Sequence, residues 1–174
     1  MRSLKVGAHD VEVRPRVIVE IANPGAELAV TGPWIRSYRA VDRRFLITVV
    51  DAADATSVEA MYRAAGIAIE RAWTTYEYEE VSEPVPQTTV VVVTDYDRPL
   101  SDPDNIGKAE RVFACLDARA TGAWARSYLA TDRRRMVCEF QGRDTESIRE
   151  ALHTANVAFG IAWRADKLER VTAS

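Results

Sequence analysis

The chain has 174 residues, a net charge of −3 and a hydrophobic content of 47%. This composition can build a packed core, and the acidic balance gives no drive toward nucleic acid or membrane, so neither is predicted as a partner. No stretch approaches the ~20 apolar residues that span a bilayer, and Met1–Asp10 lacks an apolar run of signal-peptide length. We therefore predict a cytoplasmic protein.

The chain contains an internal repeat. Residues 31–73 align without a gap with residues 121–163, and 16 of the 43 aligned positions are identical, where roughly three are expected by chance. The four tryptophans form two pairs 90 residues apart, Trp34 with Trp124 and Trp73 with Trp163. A duplicated module presents two copies of one surface about a pseudo-twofold axis. We predict an internal pseudo-dimer, and further association into a homodimer stays open.

The first repeat is predicted to contain four strands and one helix. Alternating β-branched positions favour strands, and an apolar period of 3.6 residues favours a helix. The predicted elements are strands at Arg16–Ala22, Trp34–Val41, Phe45–Val50 and Ile69–Tyr78, with a helix at Ala52–Ala65. Residues 1–13 are mixed in character and are predicted to lack regular structure. The gap before Trp34 is short, so most of a first helix is missing from this copy.

The second repeat is predicted to be complete. Its elements are strands at Thr88–Asp95, Ala123–Thr131, Arg135–Gln141 and Ile161–Val171, with helices at Asp102–Arg119 and Asp144–Asn156. The order β-α-β-β-α-β is the split ferredoxin-like arrangement. Prolines mark 82–87 as a linker between modules at 14–81 and 88–171. Because the helix-free face of each sheet needs cover, we predict an α+β fold of two fused ferredoxin-like modules packed sheet to sheet as an α+β barrel.

Polar residues are predicted to hold the turns and helix ends. Candidate N-caps of the first helix are Asp54, Thr56 and Ser57, and Gly66 is predicted to end that helix. In the second repeat, Asp102 and Pro103 suit the N-cap and N1 positions. The repeated Asp42 and Asp132 are predicted to be turn residues of the two hairpins.

Two repeated Trp-Arg-Tyr rows suggest a binding site. Strand alternation would place the members of each row on one face, toward the space between the sheets. There the arginines would need carboxylates or an anionic ligand. The predicted ligand-binding residues are Trp34, Arg36, Tyr38, Trp73, Trp124, Arg126, Tyr128 and Trp163. The alternative is that the aromatic residues only pack the core and that the arginines form structural ion pairs.

Few residues suggest catalysis or metal binding. Tyr128, Glu139 and His153 are candidates for proton transfer, and Cys138 with Glu139 and His153 could form a metal or acid–base cluster. No phosphate-binding loop, nucleophile elbow or zinc-protease motif is present. Cys115 and Cys138 lack counterparts in the other repeat and imply no disulfide framework.

Residues Arg126–Phe140 followed by Asp144–Ala151 resemble a bacterial family of small proteins of unknown function. The named example of that family binds nickel, has a ferredoxin-like fold and forms dimers. The first repeat, Trp34–Trp73, is similar to the same family to a lesser degree. The resemblance implies a dimeric α+β barrel, here built within one chain. Cys138 matches the family's strand cysteine, but Arg36 and Arg126 stand where the family has a histidine, and a guanidinium does not ligate metals.

Three hypotheses for function follow. The first is a small-ligand-binding or accessory protein that takes an anionic or aromatic molecule between the two sheets. The second is a cofactor-poor enzyme, a cyclase, isomerase or oxygenase of the α+β barrel class, and whether the chain is an enzyme stays open. The third is a nickel- or other metal-binding protein that uses Cys138 and His153. Outside this third hypothesis, no cofactor is predicted.

Overall fold

A computed structural model describes residues 2–6, 9–22, 24, 33–42, 44–52, 54–80, 88–119 and 122–170. The described strands are β1 Arg2–Val6, β2 His9–Ala22, β3 Trp34–Ala40, β4 Phe45–Val50, β5 Arg71–Glu80, β6 Thr88–Asp95, β7 Gly122–Ala130, β8 Arg135–Gly142 and β9 Ile161–Glu169. The described helices are α1 Ala55–Ala64, α2 Asp102–Arg119 and α3 Thr145–Thr154. No helix in these ranges is both long and apolar enough to cross a membrane.

The predicted helices and strands are confirmed to within a few residues, except at the N-terminus. There β1 pairs antiparallel with the first part of β2, from Arg2 opposite Val13 to Val6 opposite His9. The prediction that residues 1–13 lack regular structure is therefore wrong. The alternation of polar residues with Val11 and Val13 continues the pattern of the following strand, so β2 starts earlier than predicted. The predicted linker at 82–87 lies outside the described residues.

The helix ends follow the predicted chemistry. Asp54 caps α1 by accepting a hydrogen bond of 2.9 Å from the backbone N–H of Ser57, and Asp144 caps α3 in the same way from Ser147 at 2.7 Å. Gly66 follows α1 with a φ of 71°, a conformation that glycine adopts without steric cost. These hydrogen bonds satisfy N–H groups that a helix start otherwise leaves free.

Side-chain hydrogen bonds also define the two hairpin turns and the start of α2. Asp42 and Asp132 accept hydrogen bonds from the backbone N–H groups of Arg44 and Arg134, at 3.1 and 3.0 Å, which confirms them as turn residues. At the start of α2, the hydroxyl of Ser101 accepts from the backbone N–H of Asp104 at 3.2 Å. The cap of α2 is therefore Ser101, one residue before the predicted Asp102.

The predicted fold class is wrong. The strands belong to one sheet in the order β1-β2-β4-β3-β9-β6-β8-β7-β5, and a further pairing of β2 with β5 joins the eight strands β2–β9 in a closed ring. Two separate ferredoxin-like sheets packed face to face are not formed. The reason lies in strand length, since β9 pairs with β6 through Ile161–Arg164 and continues to pair with β3 through Ala165–Glu169.

The chain divides into two compact units, which share the long strands. The larger unit contains residues 1–14 and 76–164, and the smaller unit contains residues 15–75 and 165–174. In the larger unit, α2 and α3 cover one face of the sheet over a core that includes Val92, Phe113 and Leu152. In the smaller unit, α1 packs on a core that includes Leu46, Val58 and Tyr62.

One glycine is required for the packing of α3 on the sheet. A Cβ atom on Gly122 would lie 2.6 Å from the carbonyl oxygen of Gln141 and 2.9 Å from Cδ1 of Ile148. The first contact is with backbone of the neighbouring strand, which cannot move without breaking the β7–β8 ladder. A side chain at this position would therefore force the neighbouring strand or Ile148 to shift.

We predict that Gly122→Ala lowers the thermal unfolding temperature by several degrees, as a strained core contact of about 1–3 kcal/mol would in a domain of this size. Gly107→Ala in α2 is the matched control, since a Cβ there meets only the end of the Arg111 side chain at 3.6 Å. Removing a helical glycine should leave stability unchanged or raise it. Differential scanning calorimetry compares the two, and equal unfolding temperatures would contradict the close approach at Gly122.

Candidate functional site

A β-bulge in β7 sets the direction of the repeated Trp-Arg-Tyr residues. Trp124 lies opposite Phe140 and Arg126 lies opposite Glu139, so Ala125 has no partner on β8. A bulge adds one residue to a strand and reverses the alternation beyond it. Trp124 therefore faces α2 and α3, whereas Arg126 and Tyr128 face the other side of the sheet. The predicted common face of the three residues is wrong at this point.

A cavity of about 90 Å³ lies in the larger unit, between the helix-facing side of the sheet and helices α2 and α3. Most of its lining is apolar, with side chains from several elements of this unit. Representative walls are Val92, Val112, Phe113, Trp124, Phe140 and Phe159. Tyr96, Asn105 and Lys108, whose polar side chains are each partly exposed, also line it, and these three residues are here called the mouth.

The polar groups at the floor of the cavity bond to one another. The indole Nε1 of Trp124 donates to Oγ of Ser127 at 2.8 Å, and that hydroxyl donates to Sγ of Cys138 at 3.0 Å. Burial raises the pKa of the Cys138 thiol to about 11, and the Ser127 hydrogen bond lowers it in part. The thiol is therefore neutral at physiological pH and is neither a nucleophile nor a ready metal ligand. The floor offers a ligand apolar contact and no free charge.

The first repeat fills the equivalent position with a larger side chain. Leu152 lines the cavity, and the residue 90 positions earlier is Tyr62, which is fully buried in the core of the smaller unit. Burial raises the pKa of the Tyr62 hydroxyl, and the neighbouring Thr48 side chain lowers it in part. Thr48 is the counterpart of Cys138. Exchange of a tyrosine for a leucine removes a ring from the second repeat at the place where the cavity lies.

The opposite face of the same sheet carries a buried ion cluster. An Nη atom of Arg126 lies 2.7 Å from Glu79, and its Nε lies 3.3 Å from Glu139. Glu139 is fully buried and also accepts a hydrogen bond of 2.8 Å from the side-chain amide of Gln141. Burial of a charge is tolerated only when opposite charges and hydrogen bonds compensate it. The guanidinium of Arg126 thus contacts two carboxylates. This agrees with the alternative hypothesis that the arginines form structural ion pairs.

Residues of the first repeat have comparable partners inside the smaller unit. Arg36 lies 3.3 Å from Glu169 on β9. Trp73 donates its indole N–H to the carboxylate of Glu20 at 2.6 Å. Tyr38 is fully buried on the face away from α1, whereas Trp34, which precedes the bulge, lies opposite Val50 on the α1 side. Of the eight predicted ligand-binding residues, Trp124 alone lines the cavity of the larger unit.

The candidates for catalysis and metal binding do not converge. Cys138 and Glu139 are neighbours on β8 and face opposite sides of the sheet, Cys138 toward the cavity and Glu139 toward Arg126. Tyr128 shares the side of Glu139, whereas His153 lies exposed on α3 with its ring centre 5.2 Å from that of Phe159. Within the described ranges, no group of three or more His, Cys, Asp or Glu side chains could hold a metal ion.

Most residues of the cavity were not predicted from the sequence. Leu152 and Phe159 belong to apolar patterns that any core produces. Lys108 was one of only three lysines beside 20 arginines, which was a usable but unspecific clue. The contrast of Leu152 with Tyr62 in the repeat alignment was the best available indication, because it marks where the two copies differ in core volume.

Comparisons with known proteins give the fold and little more. No protein-family model matches the chain, and no curated protein does. A heme-binding protein from Thermus thermophilus is similar in structure, with a TM-score of 0.50 and 9% identity over 97% of this chain and 96% of that chain. An anthrone oxidase-like protein matches with a TM-score of 0.39 and 12% identity, covering 89% of this chain and 92% of that one. At such identities the first likeness concerns the fold alone, and the second carries no argument.

We predict that Arg126→Ala lowers the free energy of unfolding by about 3–5 kcal/mol, because it leaves the buried Glu139 without its cation. Arg44→Ala is the control, since its pair with Asp42 is exposed on both sides and should contribute at most about 1 kcal/mol. Urea unfolding followed by circular dichroism measures both. An Arg126→Ala protein as stable as wild type would show that the cluster does not hold this face together.

Proposed function

We propose that this chain is a small-ligand-binding protein whose site is the cavity beneath α2 and α3. The observation that carries the proposal is the cavity itself, a space with apolar walls and a partly exposed polar mouth. Protein interiors contain few voids larger than a water molecule, because each one forfeits packing energy. A ligand that fills the space would recover that energy.

The volume limits the ligand to a small molecule. About 90 Å³ exceeds the roughly 10–15 Å³ that one water needs and is less than the roughly 150 Å³ of a wholly apolar cavity that binds benzene, so a ring-sized ligand would extend into the partly exposed mouth. Drug-sized ligands occupy about 300–1,000 Å³. We therefore propose a ligand with one aromatic ring or a short aliphatic chain. This retains the aromatic alternative of the first hypothesis and moves the site away from the arginines.

The heme of the structural neighbour is not proposed as the ligand of this cavity. A heme is far larger than the space, and the described lining residues include no histidine to ligate its iron. Nickel is not proposed either, since Cys138 is a neutral, half-buried thiol and His153 is exposed on α3. Neither group is part of the proposal.

We predict that Leu152→Phe abolishes ligand binding while the protein stays folded. The added ring occupies the cavity in the way that Tyr62 occupies the core of the first repeat. Isothermal titration calorimetry with toluene should give one site in the wild type with a Kd of about 0.1–1 mM, that is about 4–5.5 kcal/mol, within the limit of about 1.5 kcal/mol per heavy atom for a molecule of this size.

The control is Leu168→Phe, the same substitution at an exposed position on β9 in the smaller unit. It should bind toluene as the wild type does. The thermal unfolding temperature of Leu152→Phe should equal or exceed that of the wild type, because filling a cavity adds contacts. Toluene binding that survives in folded Leu152→Phe, or its absence from the wild type, would overturn the proposal.

A further inference from the structure

The mouth of the cavity carries a positive charge, that of Lys108. The ammonium of Lys108 lies 4.4 Å from the centre of the Tyr96 ring, a cation–π contact. Within the described part of the chain, no carboxylate lies close enough to Lys108 to form an ion pair. Its helical neighbour Asp104 is engaged instead with the hydroxyl of Ser101, at 2.7 Å.

The surroundings of Lys108 favour a bound anion. Burial lowers the pKa of its ammonium, Asp104 raises it, and the nearby Arg111 and Arg98 lower it further. Two arginines and one carboxylate, that of Asp104, therefore act on the charge of Lys108. An added negative charge would relieve both the repulsion and the loss of solvation.

A second polar group at the mouth is the side-chain amide of Asn105. Asn105 lies three residues before Lys108 on α2, so the two side chains share one face of the helix. Its backbone N–H bonds to the carbonyl of Ser101 at 2.9 Å. Its side-chain amide, within the residues described, takes part in no hydrogen bond. The hydroxyl of Tyr96 makes only a long contact of 3.9 Å with Sδ of Met136.

We infer that the ligand is a small monocarboxylate, with its apolar body in the cavity and its carboxylate at the mouth on Lys108 and Asn105. This inference rests on the proposed function and adds the class of ligand to it. The ammonium supplies charge, the amide supplies a directed donor, and the apolar floor excludes a second charged group. A dicarboxylate would have to bury one charge against Ser127, whose hydrogen atom is already donated to Cys138.

The test compares benzoate with benzyl alcohol, two ligands that share a ring and differ in charge. At pH 7.5 and low salt, the wild type should bind benzoate about tenfold more tightly than Lys108→Met does. Benzyl alcohol should bind both proteins equally, because methionine retains the apolar stem of the side chain. Lys108→Arg should restore benzoate binding, and added salt should weaken it.

The outcomes separate the two claims. If benzyl alcohol binds in the cavity but benzoate does not, or if Lys108→Met leaves benzoate affinity unchanged, the inferred class of ligand is wrong and the proposed function stands. If neither molecule binds the wild type, both claims fail. If Lys108→Met also loses benzyl alcohol, Lys108 acts by packing and the charge-based inference is overturned.

Discussion

The β-bulge at Ala125 is the constraint on which the rest of the larger unit depends. It turns Trp124 toward the helices and Arg126 to the far side of the sheet, where Glu139 meets it. Without the extra residue, a guanidinium would face the apolar core under α2. Because of the bulge, the charge of Arg126 is buried on one face of the sheet and the ring of Trp124 packs on the other. The first repeat has the same irregularity between Trp34 and Arg36.

The cavity lies where the two sequence repeats differ in the size of a side chain. Both repeats have the same bulge, the same helix caps and a hydroxyl at Ser37 or Ser127 that bonds across to the next strand. Leu152 replaces Tyr62, and Cys138 replaces Thr48. The loss of a ring at one position costs packing energy unless something else fills the space. Leu152 therefore affects both the stability of the larger unit and the space that it leaves for a ligand.

The sequence was sufficient to predict local structure and the repeat. Alternation and caps gave the strands and helices, because these depend on neighbours along the chain. The fold class failed, since nothing in the composition of β5 or β9 says how many strands each will pair with. That choice depends on long-range hydrogen bonding, visible only once β9 is seen to pair with both β6 and β3.

The candidate site was predicted only in part. Trp124 was named as a binding residue and does line the cavity, whereas Arg126 was assigned to the same face because simple alternation overlooks a bulge. Because burying an arginine is costly, the sequence predicted that Arg126 would need carboxylate partners. It did not identify Glu79 and Glu139 as those partners. The volume of the cavity beneath α2 and α3 depends on the sizes of many side chains together. No single residue in the sequence indicates it.

The most direct test of the central claim is a crystal structure of the wild-type protein soaked with bromobenzene, with anomalous data collected at the bromine edge. The account predicts one bromine peak between α2, α3 and the sheet, in contact with Trp124, Leu152 and Phe159. A cavity that holds only ordered water, or bromine peaks confined to the protein surface, would contradict it.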